Sequence, residues 1–70
     1  MIIFHLAEIL RKNDISQNQF ARMSNIRPNT INEIVNNTLK RLELDTFAKL
    51  LIALKQIGYS VDDLIEVKES

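Results

Sequence analysis

The chain has 70 residues, no cysteine, a single histidine, and nine basic against nine acidic side chains. That length makes one domain, residues 1–70, with a modest core and marginal stability. No disulfide framework or thiolate metal site is available, and one histidine cannot hold a metal alone. The zero total charge at first argues against a nucleic-acid partner.

Taken in chain order, Met1 to Leu10 opens apolar but is interrupted by His5 and Glu8. It has no basic flank and no small-residue cleavage site, so it does not read as a signal peptide. No apolar run approaches membrane-spanning length. With the lack of cysteine, this points to a cytoplasmic protein and no membrane partner. Ile2, Phe4 and Leu6 alternate with Ile3 and His5, which predicts a short strand over residues 2–5. Helical spacing of Leu6, Ile9 and Leu10 predicts a first helix over 6–13.

Ser16 with Gln19 forms a capping box, and Ile15 with Phe20 a hydrophobic staple. A second helix follows from Gln17 to Met23 or Ser24, with Phe20, Ala21 and Met23 as its inward candidates. Asn25 stands where the next turn needs a left-handed residue, a conformation asparagine tolerates second only to glycine. Pro28 opens the third helix, because proline loses no hydrogen bond at the first helical position. Ile26 and Ile31 stand at staple spacing, and Ile31, Ile34 and Val35 give the i, i+3, i+4 apolar stripe. Asn36 and Asn37 end this helix, Asn37 as a left-handed terminal residue.

A fourth helix is predicted over Leu44–Ile57, burying Leu44, Phe47, Leu50, Leu51, Leu54 and Ile57, with Gly58 as its stop. Ser60 with Asp63 is a second capping box and starts a short helix at 61–64. Ile65 and Val67 alternate with Glu66 and Lys68, a strand able to pair with residues 2–5. So short a pair must pack on the helices or on another subunit.

Charge is unevenly spread along these elements. Residues 16–41 hold Arg22, Arg27, Lys40 and Arg41 against Glu33, a balance of +3. Residues 42–70 hold Lys49, Lys55 and Lys68 against Glu43, Asp45, Asp62, Asp63, Glu66 and Glu69, a balance of −3. Residues 1–15 balance. A neutral chain can therefore show one basic face, and the local field outweighs the sum.

Two short helices joined by a tight turn, the second amphipathic, form the layout of a helix-turn-helix. The third helix is roughly 13 Å long at ~1.5 Å per residue and suits a major groove about 12 Å wide. If the isoleucines face the core, Asn29, Asn32 and Glu33 face outward behind Arg27 and Pro28. Asparagine can bond adenine in bidentate fashion, and glutamate can accept from cytosine. The alternatives are solvated asparagines and a Glu33 paired with Arg27 or Arg41. Gln17, at the first turn of the second helix, could meet a phosphate or brace the third helix. Thr38, Lys40 and Arg41 follow the third helix in a loop where donors could grip phosphates. His5 reads as a strand or surface residue, and Asp62 with Asp63 as first-turn helix residues. No catalytic triad, glycine-rich phosphate loop or metal-spaced cluster is present, so no enzyme and no cofactor are expected.

The segment SQNQFARMSNIRPNTINEIVNNT resembles the helix-turn-helix of the Cro and phage lambda repressor type, often called Xre-like. The resemblance continues through KRLELDTFAKLLIALKQIGYSVDDLIEV and covers nearly the whole chain. In particular it resembles small single-domain bacterial and prophage regulators of that family. It implies an all-α, lambda-repressor-like domain of four to five helices, here with a short two-stranded sheet pairing the terminal segments. It also implies a repressor that binds double-stranded operator DNA as a homodimer. Carried over by position, Pro28, Asn29, Asn32 and Glu33 match base-facing positions. Gln17 and Asn36 match phosphate-contacting ones, with Arg27, Thr30, Thr38, Lys40 and Arg41 as further phosphate candidates. Asn25 and Asn37 depart from the usual glycines, and Pro28 removes one polar contact. Two competing expectations share the fold: a protein-interaction module, such as an antirepressor or immunity partner, and the antitoxin of a toxin–antitoxin pair. No separate ligand-sensing domain is evident, so no small-molecule ligand is expected.

Overall fold

The computed structural model describes residues 1–69. In chain order the elements are β1 (Ile2–Phe4), α1 (Leu6–Lys12), α2 (Gln17–Ser24), α3 (Pro28–Val35), α4 (Leu44–Gln56), α5 (Val61–Leu64) and β2 (Ile65–Val67). Five helices and one small antiparallel sheet agree with the architecture read from the sequence. The first strand and three of the four longer helices end a residue or so earlier than predicted, with His5, Asn13, Asn36 and Ile57 acting as caps.

The helices enclose one apolar cluster. Leu6, Phe20, Ile31, Ile34, Leu50, Leu54 and Leu64 are its fully buried side chains, each contributing on the order of 1.5–3 kcal/mol relative to exposure. The α4 stripe differs from expectation at its first turn. Leu44 is 83% exposed, because α4 begins beyond the edge of this cluster, while Ala53 is buried. Met23 is also exposed. Ser24 takes the buried position instead, where its hydroxyl donates to the Phe20 carbonyl at 2.7 Å. A short polar side chain satisfied inside its own helix can be buried at little cost.

All four longer helices finish alike. A left-handed residue follows, at φ 54° (Asp14), 57° (Asn25), 58° (Asn37) and 89° (Gly58). The next N–H reaches back to a carbonyl five residues earlier: Ile15 to Leu10, Ile26 to Ala21, Thr38 to Glu33 and Tyr59 to Leu54, at 2.9–3.1 Å. This closure satisfies carbonyls the helix leaves unpaired. Only one of the four uses glycine.

In the sheet, β1 and β2 run antiparallel with Ile2 opposite Val67, Ile3 opposite Glu66 and Phe4 opposite Ile65. Phe4 and Ile65 pack against the core cluster. Ile2 and Val67, further out on the same face, are 57% and 68% exposed. Phe4 is held from its other side by Asn37. The Asn37 Oδ1 accepts from the Phe4 N–H at 2.6 Å, and its Nδ2 donates to the Phe4 carbonyl at 3.2 Å.

Candidate nucleic-acid interface

Local chemistry sets the angle at which α2 delivers the chain to α3. The Ser16 hydroxyl accepts from the Gln19 N–H at 3.1 Å while Gln19 Oε1 accepts from the Ser16 N–H at 2.8 Å, so the start of α2 is fixed at both donors. At its end, Asn25 turns left-handed and Ile26 is buried beneath the turn. Arg27 then caps α3 in an extended conformation and Pro28 occupies the first turn. The two helices pack directly on each other.

Packing then decides which side of α3 meets solvent. Ile31 and Ile34 are completely buried and Val35 is half-buried. The opposite face presents Pro28, Asn29, Asn32, Glu33 and Asn36, all exposed. Thr30 is half-buried at the flank. The expected orientation of the helix is thus the observed one.

Three amides are linked across this face. Asn36 Nδ2 donates to Asn32 Oδ1 at 3.1 Å, and Asn32 Nδ2 donates to Gln17 Oε1 at 3.2 Å. Gln17 therefore braces α3, the second of the two roles its position suggested. Its Nε2 makes no hydrogen bond among the described residues, so bracing leaves a donor at the start of α2. The chain of amides restricts the plane in which Asn32 can present its second donor and acceptor sites.

An open groove of about 680 Å³ runs along the other flank of α3. Arg27, Thr30, Thr38, Lys40 and Arg41 all line it, bringing together five of the candidates that the sequence placed in separate segments. Thr38 Oγ1 lies 3.5 Å from the Glu33 carbonyl, which holds the loop against the end of α3. Glu33 also borders the groove, but makes no ion pair with Arg27 or Arg41 among the described residues. Lys49 and Thr46, one turn apart on α4, line it as well and were not singled out from the sequence. Their i, i+3 spacing on α4, with Thr46 half-buried one turn before Leu50, was the available signal. With Arg27, Lys40, Arg41 and Lys49 against Glu33 and Glu43, the groove is net basic in a chain of zero total charge. A smaller hollow beside Pro28 is lined in part by Asn18 and Arg22, one turn apart on α2.

The family model of the Cro/C1-type helix-turn-helix DNA-binding domain matches residues 5–70. The chain belongs to this family. No curated protein and no solved structure matches it significantly. As a Cro/C1-type domain it is a DNA-binding regulator whose partner class is double-stranded DNA. The match opens at His5, so β1 lies outside the matched span. Among the described residues no helix is long and apolar enough to cross a membrane, and no group of His, Cys, Asp or Glu is arranged to hold a metal ion.

Proposed function

We propose that this chain is a sequence-specific transcriptional repressor that binds operator DNA as a homodimer in the cytoplasm, with residues 1–70 as one helix-turn-helix domain. The observation that carries the reading is the division of α3: Ile31 and Ile34 at zero exposure, and Asn29, Asn32 and Glu33 open on the opposite side. In this reading α3 enters the major groove. Asn29 and Asn32 bond base edges, Glu33 accepts from a cytosine amino group, and Pro28 packs at the leading end.

Phosphates on one side of the groove meet Arg27, Thr30, Thr38, Lys40 and Arg41, which already surround a single basic hollow. On the other side, Gln17 and Asn36 flank Asn32, and the Gln17 Nε2 donates to a phosphate while its Oε1 steadies Asn32. Phosphate contacts supply most of the affinity, and the bases reached by α3 supply the choice of site. A dimer follows from the small footprint of one such helix. Two-fold pairing sets two of them about one DNA turn apart. Repression follows from occupancy, since a dimer seated in successive major grooves excludes polymerase from the same duplex.

Selection of bound duplexes from a random pool tests this directly. The expected product is a pseudo-palindrome whose half-sites lie about 10 base pairs apart, centre to centre. Recovery of unenriched sequence at low salt would overturn the reading.

A further inference from the structure

The loop that carries Thr38, Lys40 and Arg41 is held at its start and little along its length. It is entered through the left-handed Asn37 and then Thr38, whose N–H donates to the Glu33 carbonyl at 2.9 Å. Leu39 packs against the core cluster. From Leu39 to Glu43 no backbone N–H finds an acceptor among the described residues. Lys40 and Arg41 stand exposed. A segment with so few bonds of its own takes its position from its ends.

The Asn37 end is tied to the terminal sheet. One carboxamide bonds both backbone groups of Phe4, which fixes the plane of Asn37 as well as its distance. Phe4 is itself immobilised from the other edge of β1. Met1 and Lys68 exchange backbone bonds at 3.0 and 2.8 Å, and the His5 N–H reaches the Leu64 carbonyl at 2.7 Å. The His5 ring lies 2.9 Å from Glu66 on β2, and the Phe4 ring packs on the core. So β1 is anchored on both sides of Phe4, although it lies outside the span that the family model matches.

We propose that β1 is a strap: through Asn37 it holds the 38–43 loop where Thr38, Lys40 and Arg41 meet phosphates. The inference rests on the DNA reading above and adds Asn37 to it as a positioning residue, with no contact of its own to the duplex. Without the strap the loop would be ordered anew at each binding event, and ordering backbone opposes association. With it, that ordering is completed during folding. The consequence falls on affinity and not on the choice of site, because phosphates are common to every sequence.

The test is a double-mutant cycle on the full chain. Parent, Asn37→Gly, Lys40→Ala with Arg41→Ala, and all three changes combined are titrated against the selected operator and an unrelated duplex. The temperature is one at which circular dichroism shows each protein fully folded. Glycine keeps the φ of 58° at ease and removes only the carboxamide. Asn37→Gly should weaken both duplexes by about tenfold. In the background lacking Lys40 and Arg41 the same change should cost less than about twofold, because the loop has few contacts left to lose. A general loss of structure would act equally in both backgrounds. Parent-like affinity of Asn37→Gly, an undiminished loss in the second background, or a loss confined to the operator would each overturn the proposal. Amide relaxation measured by NMR without DNA tests the strap alone. Thr38, Leu39 and Lys40 should be as ordered as the helices in the parent and mobile in Asn37→Gly. Unchanged order in the variant would overturn the strap even if DNA binding is normal. A parent that binds neither duplex would count against the DNA reading, and the relaxation result would still decide whether β1 holds the loop.

Discussion

The turns on either side of α3 share a backbone and use it differently. Asn25 and Asn37 sit at φ 57° and 58°, each followed by the same backward hydrogen bond, to Ala21 and to Glu33. At Asn25 the side chain makes no hydrogen bond among the described residues and stands exposed between the two hollows. At Asn37 the carboxamide pairs with both backbone groups of Phe4, 33 residues away, and substitutes for a neighbouring strand. Asparagine serves as a tolerated stand-in for glycine at the first turn, and as a clamp between α3 and the sheet at the second.

The comparison can be broken by substitution. Asn37→Ala should have the largest effect, about 2–3 kcal/mol in denaturant unfolding, because it adds left-handed strain to the loss of two hydrogen bonds. Asn37→Gly keeps the backbone at ease and should still cost about 1–2 kcal/mol, with faster amide exchange at Phe4. Asn25→Gly should shift stability by no more than about 0.5 kcal/mol in either direction, since relief of strain and added unfolded-state freedom oppose one another. Equal tolerance of glycine at both sites would show that the Asn37 clamp contributes nothing.

The same contrast explains what could be read in advance. Features carried by neighbours in sequence were legible: the Ser16–Gln19 box, Pro28 at the head of α3, the left-handed Asn25 and Asn37, and the stop at Gly58. The outward face of α3 was legible for the same reason, as three apolar positions at helical spacing fix the opposite side. Features set by distant packing were not. Leu44 fits the apolar stripe of α4 but stands beyond the core, and Ala53 is buried although its size gives no such signal. The Phe4–Asn37 pairing joins residues with no shared periodicity. Likewise, the loop over 38–43 carries no pattern to show that Thr38, Lys40 and Arg41 close one groove with Arg27, Thr30 and Lys49.

The central claim is that the exposed amides of α3 select bases. Its most direct test titrates parent, Asn32→Ala and Lys40→Ala against every single-base variant of the selected operator, at several salt concentrations. Asn32→Ala should lose about 1–3 kcal/mol of discrimination at one base pair of each half-site and leave the other positions unchanged. Lys40→Ala should weaken all duplexes alike and reduce the salt slope by about 1. An Asn32→Ala protein that ranks every duplex as the parent does would contradict the account.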